Sequence, residues 1–220
     1  MSDITNDTDK KFCYIFGAAP ISTPLKFVPA ECDFIIAADA GYKFLLSQEI
    51  KPNLLVGDFD SLGYVPDDIE LVRFPTVKDD TDMMLAVKEG LKRGYKEFII
   101  YGGMGGKLEF TLANLQILYN IVNMGYSCYF VDNSSLVTAI KNNKIVFDEK
   151  FRGRISVFAG GATAYGVTIQ GLKYILFDGV LKCDNPLGVS NEFIGKRGYI
   201  SVTNGLVYII YDVCNNFFEQ

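Results

Sequence analysis

Two short acidic runs hold the carboxylates best spaced to act together. The first is Gly57-Asp58-Phe59-Asp60-Ser61, with Asp58 and Asp60 at i and i+2. In extended backbone two such side chains point the same way and can share a hard cation through oxygen. The second is Asp79-Asp80-Thr81-Asp82, about twenty residues on, at a predicted helix start. Together the runs could hold Mg²⁺ against a polyphosphate. An Asp-rich surface turn is the plainer reading of the first run alone. The apolar lead-in Leu54-Leu55-Val56 and the second run favour a metal site. A third stretch, Gly102-Gly103-Met104-Gly105-Gly106, could cradle phosphate on its backbone N–H groups, with Lys107 as a countercharge. It is neither a Walker A loop nor G-x-G-x-x-G, because Leu108 follows Lys107. A tight structural turn would use the same glycines.

The chain contains no His. That excludes Ser-His-Asp and Cys-His catalysis and His-ligated zinc. Any general base must be a carboxylate, Lys, Tyr or metal-bound water. Net charge is −5 over 220 residues, with no basic run, which argues against a nucleic-acid groove. The five Cys (13, 32, 128, 183 and 214) are scattered without C-x-x-C spacing, as in a reduced cytoplasmic protein. No apolar stretch is long enough to cross a membrane as a helix, and the polar start carries no signal-peptide core.

These residues must be positioned by strands and helices that the pattern also indicates. Phe12–Phe16, Phe34–Ala38, Leu54–Val56, Leu71–Phe74, Phe98–Tyr101 and Cys128–Val131 read as strands. A short helix is expected up to Leu46. Another starts at Asp80 or Thr81 with Met84, Val87 and Leu91 on its apolar face, and ends at Gly94. A third is expected from Phe110 to Val122 with Leu112, Leu115, Leu118, Ile121 and Val122 inward, and with Phe110 packed as its first apolar residue. Strands alternating with helices imply an α/β fold with a mainly parallel sheet.

From about residue 136 no helical period remains. Short β candidates at 155–158, 166–169, 172–176, 180–181, 199–202 and 206–211 are divided by Gly160-Gly161, Asp178-Gly179 and Asn204-Gly205. The last pair is the strongest hairpin signal in the chain. A small all-β domain, a sandwich or open barrel, is expected there. The boundary is expected in the polar stretch around Lys141-Asn142-Asn143-Lys144, giving domains of 1–138 and 139–220.

In this order the motifs resemble those of the thiamine pyrophosphokinase family. The set is Ala38-Asp39-Ala40-Gly41, Gly57–Ser61, Lys78-Asp79-Asp80-Thr81-Asp82, Gly102–Lys107 with Asn114, Gly171-Leu172-Lys173-Tyr174, and Leu187-Gly188-Val189-Ser190-Asn191-Glu192-Phe193. The resemblance implies an N-terminal three-layer α/β nucleotide-binding domain and a C-terminal β-sandwich that binds thiamine. It implies a homodimer with active sites at the subunit interface, and transfer of the pyrophosphoryl group of ATP to the thiamine hydroxyl, leaving AMP. By matching position, Asp58, Asp60 and Asp82 would be the Mg²⁺ ligands. Lys107, Lys78, Asp79, Thr81, Gly103, Gly105, Gly106 and Asn114 would bind ATP. Asp39, Glu109, Tyr174, Ser190 and Asn191 would serve thiamine.

After the glycine loop the sequence departs from the bacterial family pattern Arg-x-Asp-His and reads Lys107-Leu108-Glu109-Phe110. Lys cannot fork two bonds onto a phosphate as Arg does. A haloacid-dehalogenase-like phosphatase also places Asp-x-Asp after a strand, but the long lead-in and the β-rich C-terminal half do not suit it. A catalytically weak thiamine- or nucleotide-binding protein is the third reading.

Overall fold

The computed structural model describes residues 11–21, 27, 29–58, 68–75, 79–132 and 134–212. These fall into two compact units. One is drawn from Asp9–Ile117 and Tyr126–Asn133, the other from Leu118–Gly125 and Ser134–Gln220. The fold is mixed α/β, with few helices.

The first unit is built on six strands. They are β1 (Phe12–Phe16), β2 (Phe34–Ala38), β3 (Leu54–Gly57), β4 (Glu70–Arg73), β5 (Glu97–Tyr101) and β6 (Ser127–Val131). They lie in the order β6-β5-β1-β2-β3-β4, and every pairing among them is parallel. Phe16, Ile36, Val56, Ile100 and Phe130 are fully buried on these strands, as expected where both faces of a parallel sheet are covered. The chain moves outward from β1 through β2, β3 and β4, then returns to pair β5 on the other side of β1. The order therefore reverses between β1 and β5.

Helix α1 (Gly41–Ser47) follows β2, and α2 (Asp82–Lys92) precedes β5. Thr81 caps α2, its hydroxyl accepting from the Met84 N–H at 3.2 Å. The inward face of α2 differs from the expected one. Met83, Ala86, Val87 and Gly90 are buried at i, i+3, i+4 and i+7, while Met84 and Leu91 are only half-buried. Small residues decide this face. A Cβ at Gly90 would stand 2.8 Å from the Phe98 ring and 2.9 Å from the Cys13 sulfur, so the helix comes in close at a residue without one. At its C-terminal end, buried Glu89 accepts from Lys92 and Arg93 at 2.6 and 2.5 Å, and Arg93 also reaches Glu70 on β4 at 2.5 Å.

Helix α3 (Leu108–Asn123) starts two residues earlier than expected and is rotated from the expected face. Asn114, Ile117, Leu118, Ile121 and Val122 are buried, whereas Leu112 is 55% and Phe110 52% exposed. The packing expected of Phe110 is thus corrected. Its ring lies outside, 5.9 Å from the Lys107 ammonium. A polar residue, Asn114, occupies the first buried position because its amide has a backbone partner there.

The second unit is all β. In one sheet β12 (Asn191–Glu192), β9 (Arg154–Ala159), β14 (Leu206–Asp212) and β7 (Ser135–Lys141) lie in that order. In the other, β11 (Leu176–Lys182), β10 (Thr163–Gln170), β13 (Gly198–Ser201) and β8 (Lys144–Phe147) do. All pairings named for this unit are antiparallel, six against the five parallel ones of the first unit. The mainly parallel sheet expected of the chain is therefore confined to strands β1–β6. Phe147 on β8 meets Tyr211 on β14 at 5.4 Å, and Phe151 and Phe193 join them in one aromatic cluster.

Asn204-Gly205 is not a hairpin. It joins β13 to β14, which belong to different sheets, and the Asn204 carbonyl accepts from the Tyr165 N–H at 2.8 Å. Gly205 is at φ +117, and its N–H donates to the Asn142 side chain at 2.8 Å. The stretch Lys141–Lys144 is likewise a turn between sheets. Asp178-Gly179 lies inside β11 beside a bulge of β10, with Asp178 at φ +48.

Candidate active site

In the first unit the parallel strands end together, and their ends carry the residues singled out for chemistry. β2 runs into Asp39, β3 into Gly57 and Asp58, β5 into Gly102. Asp39 is at φ +46 and donates its N–H to the Val56 carbonyl at 2.8 Å. A Cβ on Gly57, itself at φ +156, would stand 3.3 Å from the Asp39 Cα. The two strand ends thus meet backbone to backbone, and Asp39 and Asp58 are delivered from adjacent strands. Both are half-buried. Asp82 stands in the first turn of α2.

The neighbouring end is the reversal point of the sheet. Gly17, just past β1, takes the carbonyl of Tyr101, and Ala19 takes that of Gly102 at 2.9 Å. A Cβ on Gly17 would meet the Gly102 carbonyl oxygen at 2.6 Å. In open α/β sheets the crevice at such a reversal, beyond the carboxyl ends of the strands, is where ligands bind. The glycine loop emerges there. The Gly103 carbonyl accepts from the Asn114 amide at 2.5 Å, and a Cβ on Gly103 would press on the Phe130 ring at 2.6 Å. Gly106 lies against Ala19 and Gly105 against Asp132, where a Cβ would be 3.3 Å from the nearest side-chain atom of each. Sidechain-free residues are needed here because strand ends and a buried ring crowd the loop from several sides.

The predicted residues distribute as follows. Asp39, Asp58, Asp82, Gly103, Gly105, Gly106, Lys107, Glu109 and Asn114 all belong to the first unit. Asn114 is buried and spends its amide on the loop backbone, so it shapes the loop rather than presenting a free amide. Lys107 and Glu109 are exposed, and so is Asp79, whereas Thr81 is taken up as a helix cap. Asp80 pairs with Lys88 at 2.5 Å. Asp60 and Lys78 lie outside the described residues. Among the described residues no three carboxylates or thiols are grouped closely enough to hold a metal. The donor chemistry at the strand ends nonetheless suits a hard cation, since carboxylates at the ends of β2 and β3 offer oxygen only.

In the second unit, Tyr174 and Asn191 come together. The Tyr174 N–H donates to Asn191 Oδ1 at 2.9 Å, and Asn191 Nδ2 donates to the Tyr174 carbonyl at 2.6 Å. Asn191 is buried and pins the main chain of Tyr174, whose ring is 61% exposed and so is no core residue. The strand expected over 172–176 is instead this pinned loop leading into β11. Ser190 stands beside it at φ +59, its N–H donating to Ser156 Oγ at 3.0 Å. Sequence reasoning missed Gly17, Ala19, Phe130 and Asp132. The run Gly17-Ala18-Ala19 after a strand was the available signal for the first two.

Comparison with known proteins brings both units under one heading. A family model described as "Thiamin pyrophosphokinase, catalytic domain" matches residues 26–130, and one described as "Thiamin pyrophosphokinase, vitamin B1 binding domain" matches residues 142–207. Thiamine pyrophosphokinase of Bacillus subtilis is 28% identical over 182 residues, covering 80% of this chain and 85% of that protein. The crystal structure of thiamine pyrophosphokinase from Bacillus subtilis superposes with a TM-score of 0.83 at 24% identity, over 93% of this chain and all of that one. That from Geobacillus thermodenitrificans gives 0.79 at 22% identity, over 93% and 98%.

Proposed function

The chain belongs to the thiamine pyrophosphokinase family, enzymes that transfer pyrophosphate to thiamine, and on that premise we propose that ATP is its donor and AMP its by-product. The observation that carries the donor reading is the glycine loop at the reversal point of the parallel strands. Backbone N–H groups there suit a polyphosphate, and Lys107 adds a positive charge beside the loop. In this reading the catalytic part is residues 1–138, a three-layer nucleotide-binding domain, and the thiamine-binding part is residues 139–220, a β-sandwich.

Asp58, Asp60 and Asp82 would hold Mg²⁺, which would supply charge neutralisation on the polyphosphate. The chain's own residues do the positioning. Asn114 holds the loop open by fixing the Gly103 carbonyl. Asp39 or Glu109 would accept the proton-bearing end of the thiamine hydroxyl and aim its oxygen. Tyr174 offers an exposed ring to the cationic thiazolium face of thiamine, and Ser190 and Asn191 frame it. Lys78, Asp79, Thr81, Gly103, Gly105 and Gly106 complete the nucleotide contacts.

A homodimer with its active sites at the subunit interface is part of the proposal. Its support is an exposed apolar run at the start of β11, where Tyr174, Ile175 and Phe177 are 61%, 77% and 79% exposed. Patches of that kind mark interfaces. No described helix is long and apolar enough to cross a membrane, and we place the enzyme in the cytoplasm.

Incubation with ATP, Mg²⁺ and thiamine tests the reading. AMP and thiamine diphosphate should appear in equal amounts. Free phosphate without thiamine diphosphate would replace it with the phosphatase reading, and binding without turnover with the weak-binder reading.

A further inference from the structure

We infer that Asp132 is a specificity-determining residue of the nucleotide site, its carboxylate accepting from the hydroxyls of a ribose whose phosphates lie on the glycine loop. The inference rests on the ATP-donor reading above and extends it to a residue outside the family motifs. β5 and β6 are parallel neighbours in the register Tyr101↔Val131. Gly102 and Asp132 are therefore the first residues beyond two adjacent strand ends. The chain leaves β5 through the glycine loop, runs along α3, and returns in β6 to Asp132. In mononucleotide-binding βαβ units a glycine-rich first turn takes the phosphates, and an acidic residue further along binds the ribose hydroxyls.

Contact and chemistry agree with that layout. A Cβ on Gly105 would stand 3.3 Å from Asp132 Oδ1 and 3.8 Å from Oδ2, so the carboxylate lies directly against the loop. Asp132 is half-buried. Among the described residues its carboxylate has neither a hydrogen-bond nor an ion-pair partner. An ionised carboxylate only accepts, and it repels phosphate. Its place beside a phosphate loop suits a neutral donor next to the phosphates. In a nucleotide that donor is the ribose diol, whose two O–H groups match the two carboxylate oxygens.

Calorimetric titration of the full-length protein with Mg²⁺–ATP and with Mg²⁺–2′,3′-dideoxy-ATP, without thiamine, tests this. The parent should bind ATP on the order of ten-fold more tightly, the worth of charge-assisted bonds to the diol. Asp132→Ala should bind ATP about as weakly as the parent binds the dideoxy compound, and should no longer distinguish the two. Asp132→Asn, which keeps the shape and one acceptor, should show a reduced preference and covers the case in which the Ala variant does not fold. A parent-like preference in a folded variant, or no preference in the parent, would overturn the assignment while leaving ATP as the donor. If the parent bound neither nucleotide, the donor reading itself would fail, and this one with it.

Discussion

Gly103→Ala isolates the steric argument for the glycine loop. Gly103 is not at a positive φ, so alanine there meets no backbone penalty. What it meets is the Phe130 ring, with two ring carbons 2.6 Å from the added Cβ and the ring itself fully buried on β6. Ordinary contact begins near 3.4 Å, so the ring or the loop must move by most of an ångström. Overpacking of this kind costs about 1–3 kcal/mol. For a chain of this size each kcal/mol lowers the melting temperature by roughly 2–4 °C. The loop is the more yielding side, and its movement would also disturb the bond from Asn114 to the Gly103 carbonyl. We therefore expect both a lower melting temperature and a raised Michaelis constant for ATP, read by circular dichroism and by thiamine diphosphate formation. Phe130→Leu should relieve the clash, so Gly103→Ala should cost less in that background, with a coupling of about 0.5 kcal/mol or more. Gly161→Ala is the control, since nothing lies within 4 Å of its Cβ position and its φ is ordinary. It should be neutral or stabilise by a few tenths of a kcal/mol. Strict additivity of the two substitutions, or a parent-like melt for Gly103→Ala, would refute the packing argument.

Asn114→Ala should leave the Gly103 carbonyl without its buried partner, costing about 1–3 kcal/mol in chemical unfolding and raising the Michaelis constant for ATP more than that for thiamine. Asp58→Asn should cut turnover by orders of magnitude with an unchanged melting temperature, and near-normal rates at low Mg²⁺ would remove it from the metal site. Burial works against the Glu89 carboxylate, but hydrogen bonds from Lys92 and Arg93 outweigh it and hold the group below its usual value of 4.5. A depressed carboxylate stabilises the fold above its unfolded pKa and loses that contribution as pH falls through the folded one. Urea midpoints of the parent should therefore drop on acidification below about pH 4.5, and Glu89→Gln should flatten that slope. Phe110→His should leave the unfolding free energy in urea within about 0.5 kcal/mol of the parent, because the ring is already outside.

Local chemistry made much of this protein legible. Strands β1, β2, β3 and β5 stand out as apolar runs because both faces of a parallel strand are buried, and Asp80-Thr81 announces a helix start because an orphan N–H needs an acceptor. Asp58 and the glycine loop could be picked out because a strand end followed by Asp or Gly is a local signal. The sequence motifs, in their order, also carried the family. What needed the tertiary structure was every choice among equally apolar alternatives. Helix α3 has leucines on more than one side, and the buried side is the one where Asn114 reaches Gly103. Helix α2 approaches at Gly90, which no hydrophobic count rewards. Asn204-Gly205 has the composition of a hairpin, yet its two strands find partners in different sheets. The crevice at the reversal of the parallel strands arises from Gly17 meeting Gly102 across more than eighty residues of chain. Such contacts depend on which strands lie side by side, and that is settled by the burial of whole sheet faces, an energy shared by dozens of residues and written in no single stretch.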